Sequence, residues 1–311
     1  MSVAETPQPF RAIALKLAAV TLFVIMAALI KAASGRVPPG EAVFFRSFFA
    51  IPIILGALIL RRELRGGLRV VEPMAHVWRG LIGTTAMGLS FTGLALLPFA
   101  EVKAIQYAAP ILVVIFAAMF LGEKVRLFRL TAVAMGLVGV LIILSPRLSG
   151  LEAGDERLAL GAMVVLASSI CAALAQVFVR KLVQTESTNA IVFWFSVTAS
   201  CLALLTIPFG WVMPTASEAG LLISAGLLGG IAQLFGTSAY RYADVGVVAP
   251  FEYASMLLAL VIGYVLFDEV PTGVMLAGAA LVVAAGVLII WRERQLGLER
   301  GKGRKVMTPQ G

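Results

Sequence analysis

A chain of 311 residues that is 60% hydrophobic and 14% charged, with a mean hydropathy of +0.98, cannot give a soluble domain a wettable exterior. Its net charge of +8 and pI near 9.9 would suit nucleic acid, but the basic residues fall between long apolar runs and in the C-terminal tail, so they face lipid headgroups and no nucleic-acid partner is expected. One histidine, His76, and two cysteines inside apolar runs, Cys171 and Cys201, exclude a Ser/His/Asp triad and a zinc motif, so the reading holds no catalytic residue, no metal and no cofactor.

A bilayer-crossing helix needs about 20 apolar residues. After a cytoplasmic N-terminus over 1–11, candidate spans follow at 12–33, 42–60, 76–97, 100–121 and 127–145. A connecting loop over 147–157 leads to spans at 158–180, 189–209, 217–239, 247–267 and 272–291, and a basic cytoplasmic tail occupies 292–311. The first apolar run is too long for a signal-peptide core and reads as a retained span. Breakers mark the connections, among them Pro38-Pro39-Gly40, Arg65-Gly66-Gly67, Pro98, Pro146, Pro214 and Pro271. Counted at alternate ends, Lys and Arg divide 19 to 6, which places both termini in the cytoplasm of a bacterial inner-membrane, multi-pass protein.

The chain repeats itself. Gln106-Tyr107 in span 4 has a counterpart in Glu252-Tyr253 of span 9, 146 positions later, and the same register sets Glu123 on Glu269. Leu29-Ile30-Lys31 lies over Leu174-Ala175-Gln176 at 145, and Gly139-Val140-Leu141-Ile142-Ile143 over Gly286-Val287-Leu288-Ile289-Ile290 at 147. A unit of five spans is odd, so its second copy enters the membrane inverted. The expected fold is all-α and integral to the membrane, ten transmembrane helices in two inverted five-helix repeats (12–146 and 158–291), with a substrate site near the midplane.

With this duplication, the Leu121-Gly122-Glu123 ending of span 4 resembles the drug/metabolite transporter superfamily, EamA type. Pro98-Phe99-Ala100-Glu101-Val102 looks like that family's first repeat, and Ala249-Pro250-Phe251-Glu252-Tyr253 with Phe267-Asp268-Glu269 like its second. Asp268 stands where the family usually has Gly. Within the family the chain is most similar to YddG-like amino-acid exporters. The resemblance implies a proton-linked or facilitated carrier whose central cavity is lined by spans 3, 4, 8 and 9 and their neighbours.

Several residues could line that cavity. Glu252, with Tyr253, lies at membrane depth, where a carboxylate must face a cavity or a partner; it reads as a ligand for substrate ammonium, as a proton carrier, or as a structural acceptor between helices. Gln106 and Tyr107 precede Pro110, which has no N–H for the Gln106 carbonyl, giving either a substrate-binding corner hinged at Pro110 or a kink satisfied by a neighbour; Pro250 is a weaker hinge. Thr84, Gly88 and Phe91 share a stripe that suits a pocket wall or plain helix packing, and Gly226 and Gly230 form a packing motif. Lys31, Trp78 and Arg79 near span ends read as snorkelling or interfacial groups. Arg46 reads as a gate residue pairing with Glu101, or as a contact for a substrate carboxylate.

The expected function is secondary transport of a small molecule by alternating access. Amino-acid export leads, with aromatic residues, threonine or methionine as cargo; uptake of a vitamin or nucleoside-like metabolite such as riboflavin is the alternative. A channel lacks a ring-forming charged filter, and a membrane-embedded enzyme lacks clustered metal-holding carboxylates. Partners are the substrate, lipids and protons, in a monomer or weak homodimer.

Overall fold

The computed structural model describes residues 9–60, 62, 64–121, 127–149, 156–182, 185–242, 251 and 254–305. These residues are almost wholly helical. In chain order the helices are α1 (Pro9–Ala33), α2 (Pro39–Phe48), α3 (Ala50–Leu60), α4 (Leu64–Gly67), α5 (Pro73–Leu96), α6 (Phe99–Gln106), α7 (Ala108–Leu121), α8 (Leu127–Ser149), α9 (Glu156–Leu182), α10 (Thr188–Leu204), α11 (Ala216–Tyr242), α12 (Ala254–Phe267) and α13 (Gly273–Lys305). A short 3₁₀ turn, Ile207–Phe209, follows α10. A helix overlaps every span read from the sequence. Among the described residues four are long and apolar enough to cross a membrane unaided: Phe10–Ala33, Pro39–Leu60, Glu156–Val179 and Ala216–Gly236.

Local chemistry sets the ends. Proline occupies the first turn of α2 and of α5, where its missing N–H costs nothing. Ser187 caps α10, its hydroxyl accepting from the Ala190 amide at 3.1 Å. Two spans are broken in the middle, at Phe49 and at Tyr107. Each break stands three residues before a proline, Pro52 or Pro110, whose absent N–H orphans the carbonyl four residues back. The sequence reading anticipated the second break and overlooked the first.

The helices pack reciprocally. α1 lies along α11 and α9 along α5; α8 pairs with α13; α10 packs on α2, and α12 on α6. Exchanging the helices before residue 150 with those after it maps these pairings onto one another. The α8–α13 contact is backbone against backbone: a Cβ on Gly139 would lie 2.8 Å from the Gly278 carbonyl oxygen, and one on Gly278 2.7 Å from that of Gly139. Gly226 and Gly230 of α11 fit against Phe45, Phe49 and Ala50 at the break between α2 and α3, so this glycine pair does serve packing. Large apolar side chains such as Leu60, Phe120, Leu141, Met163, Leu257 and Val265 remain on the outside, a surface that only hydrocarbon solvates well.

Candidate substrate site

Of the residues singled out from the sequence, Glu252, Tyr253 and Pro250 lie outside the described residues. Pro110 sits in the first turn of α7, just after the break at Tyr107. At that break the Gln106 side-chain amide donates to Ser90 Oγ at 2.6 Å, and its Oε1 accepts from Lys103 at 3.3 Å. The Tyr107 hydroxyl hydrogen-bonds Ser255 Oγ, tying the middle of span 4 to α12. Gln106 and Tyr107 thus stand together, but their polar ends are engaged with neighbouring helices.

The span 3 stripe divides. Phe91 is buried in the main apolar cluster, whereas a Cβ on Gly88 would meet nothing within 4 Å. Thr84 carries a buried hydroxyl with no partner. Glu101 is buried in the first turn of α6. Arg46 does not pair with it: the guanidinium turns instead to α11, where Nη2 donates to Gln233 Oε1 at 3.1 Å. The side-chain amide oxygen of Gln233 is the acceptor that Arg46 meets.

Arg79 corrects the sequence reading more sharply. It does not snorkel. Its Nη1 lies over Gly83, where an added Cβ would approach to 2.3 Å, one turn further into the bundle rather than back toward the helix start. Its guanidinium carbon stands 3.9 Å from the centroid of Phe195 on α10, and that of Arg46 stands 5.9 Å from the same centroid. Arg46, Arg79 and Phe195 each lie roughly 10 Å along their helices from the start, by 1.5 Å per residue. Nε and Nη1 of both arginines are buried without hydrogen-bond partners. Among the described residues no carboxylate pairs with either arginine.

Three carboxylates close the ends of the bundle instead. Glu41, 1% exposed in the first turn of α2, accepts from the Val212 amide at 3.1 Å, ahead of α11. Glu186, just before α10, accepts from the amides of Val71 and Glu72 at 2.8 Å each, ahead of α5, and from His76 Nε2 at 2.5 Å. Burial of Glu186 pushes its carboxyl up, but the hydrogen bonds from Glu72, His76 and Val71 outweigh it and hold the group below the ordinary carboxylate value. Glu41 and Glu186 stand 145 positions apart, the register of Lys31 with Gln176, so the repeat itself was the signal that could have found them. The third, Glu269, pairs with Lys31 at 3.0 Å and accepts from the Phe99 amide at 2.5 Å, while Lys31 also donates to the Leu97 carbonyl at 2.7 Å. Lys31 is therefore an ion-pair partner rather than a snorkelling cation. Asp268, in place of the expected Gly, has φ of +52°, a conformation that favours Gly and that Asp tolerates. It ends α12 so that the Glu269 amide returns to the Gly263 carbonyl at 3.0 Å, aiming the carboxylate at Lys31.

Against known proteins, the model of the EamA-like transporter family matches twice, over residues 10–145 and 159–291. The pseudopaline exporter CntI of Pseudomonas aeruginosa is 32% identical over 271 residues, covering 86% of this chain and 91% of that one. A riboflavin transporter of Rhizobium johnstonii is 29% identical, with 82% of each chain covered. An S-adenosylmethionine uptake transporter of Rickettsia prowazekii is 25% identical, covering 82% and 84%. A crystal structure superposes with a TM-score of 0.66 at 24% identity over 92% of this chain and 98% of that one, which supports the fold.

Proposed function

The chain belongs to the EamA-like transporter family, and from that premise we propose that it is a secondary transporter that exports small carboxylate-bearing metabolites, amino acids first among them, by alternating access. Ten transmembrane helices in two inverted halves, 12–146 and 158–291, would frame a site between them in the bacterial inner membrane. Both termini face the cytoplasm in this reading, protons supply the coupling, and the unit is a monomer or weak homodimer.

The observation that carries the reading is the reciprocal pair of end-closing carboxylates. Glu41 holds the amide ahead of α11, and its repeat counterpart Glu186 holds the amides ahead of α5. A carrier that opens to one side at a time needs a closure at each end, and a duplicated, inverted chain supplies the same device twice. The unpartnered buried donors of Arg46 and Arg79 favour a carboxylate on the cargo. Gln106 and Tyr107 would form the wall at the break in span 4, with Thr84, Gly88 and Phe91 facing them from span 3 and Glu252 and Tyr253 from span 9. Pro110 and Pro250 would be the hinges.

Counterflow into proteoliposomes loaded with unlabelled amino acid tests this. Labelled tryptophan, threonine or methionine should accumulate only with protein, and less with Gln106→Ala. Protein-dependent accumulation of labelled riboflavin, without any of the amino acids, would replace this reading with a second one. That vitamin reading is favoured by the name of the Rhizobium relative.

A further inference from the structure

We infer that Arg46 and Arg79 together form the recognition site for a substrate carrying two carboxylate groups. The inference rests on the transporter reading and names the substrate class for it. The geometry begins with two glycines. Gly83 leaves the groove into which Arg79 folds, and Gly229 leaves the space beside Nε of Arg46, 3.5 Å from where a Cβ would be. Both guanidinium groups are then held to one aromatic ring, Phe195, which attracts cations electrostatically without neutralising them. Gln233 fixes one edge of Arg46 through Nη2.

That arrangement leaves two positive charges inside an apolar bundle with two free donors on each, Nε and Nη1. Structural stabilisation does not account for it. A buried arginine that only held helices together would meet a carboxylate or a set of carbonyls, because an unpaired buried cation is strongly destabilising. Nor does lipid anchoring, since the Arg79 guanidinium points away from the end of its helix. Two like charges set against one ring are a poor core and a good receptor. On each guanidinium Nε and Nη1 lie on opposite edges of one plane, so each cation offers charge-assisted donors to a carboxylate oxygen, and the two cations sit on different helices, α2 and α5, that a substrate would bridge. Charge balance asks for a dianion. Two cations on separate helices favour two carboxylates over one phosphoryl group.

The test uses purified full-length protein in detergent and follows thermal shift and calorimetric binding. The probes are succinate and glutarate, their monoamides succinamate and glutaramate, and glycerol 3-phosphate. The dicarboxylates should bind at least tenfold more tightly than their monoamides, and Arg46→Gln or Arg79→Gln should each collapse that ratio toward one. A helix-packing role alone would lower stability without moving the ratio. Equal binding of dicarboxylate and monoamide by the unaltered protein overturns the proposal and needs no variant to fold; so does an absence of binding, or a ratio that survives both substitutions. Tighter binding of glycerol 3-phosphate than of either dicarboxylate assigns the site to a phosphoryl dianion and overturns the two-carboxylate form. Dicarboxylate binding without counterflow sinks the transporter reading and keeps the site. Counterflow of neutral amino acids without dicarboxylate preference does the reverse.

Discussion

At the residue scale, Glu186 is the side chain whose charge has the most defined consequence. It collects two backbone amides and an imidazole, so Glu186→Gln should destabilise the protein at pH 7 by about 1–3 kcal/mol, the usual cost of hydrogen bonds to a charged group. Its folded carboxyl sits below the ordinary value of 4.5, so its stabilisation is complete above that value and is lost as pH falls through the folded value. The melting temperatures of parent and variant should therefore differ at pH 7 and converge as pH falls through the folded value, below 4.5. A gap that stays constant down to pH 3 would mean that shape rather than charge supports this end. The individual site residues were only partly legible beforehand. Gln106 and Tyr107 announced themselves by proline and polarity in an apolar run. Arg79 did not, because six residues past Pro73 a cation can equally fold outward to water, and only the space above Gly83 decides that it folds inward. Phe195 looked like any bundle aromatic, since its role comes from two helices far away in sequence. Glu252, Tyr253 and Pro250 stand as the sequence left them.

At the element scale, the broken helices and the glycine contact make opposite demands. Pro110→Ala restores an N–H to the Gln106 carbonyl and allows α6 and α7 to join. An interior proline costs a helix roughly 3 kcal/mol, so the variant should melt no lower than the parent. Transport should nevertheless fall several-fold in counterflow, because the hinge and the orientation of Tyr107 toward Ser255 are lost. An undiminished rate would reduce the break to an accident of packing. Gly139→Ala should do the converse. Its new Cβ would stand 2.7 to 2.8 Å from Val282 and the Gly278 carbonyl, forcing α8 and α13 apart at a cost of about 1–3 kcal/mol. Melting drops, while the rate per folded molecule holds, if this pair is the fixed scaffold on which the other helices move. Element boundaries were readable because apolar length and breakers fix them. The break at Phe49 was not noticed, although Pro52 is as visible as Pro110, because no polar residue beside it drew the eye.

At the scale of the whole molecule, the ion pair of Lys31 with Glu269 joins four segments: α1, the end of α5, the start of α6 and the end of α12. It cannot be replaced by its mirror. A carboxylate at 31 could not donate to the Leu97 carbonyl, and an ammonium at 269 could not accept from the Phe99 amide. The reversed pair, Lys31→Glu with Glu269→Lys, should therefore recover only part of the stability that either single change removes, and a double-mutant cycle reads the shared part. The larger consequence concerns populations. A latch that forms in one state and breaks in the other shifts the balance by its own free energy, so weakening it by about 1.4 kcal/mol raises the open population about tenfold. Ala100 lies beneath the latch, 3.9 Å from where a Cβ on Gly263 would be, and is 5% exposed. A cysteine placed there, with Cys171 and Cys201 removed, should react with a membrane-impermeant maleimide several-fold faster when Glu269 is changed to Gln. Unchanged labelling, together with an unchanged melting temperature, would show that the four segments stay together without the ion pair. The end that opens would then have to be sought at Glu186, on the opposite side of the bundle, where one carboxylate holds two loop amides and an imidazole.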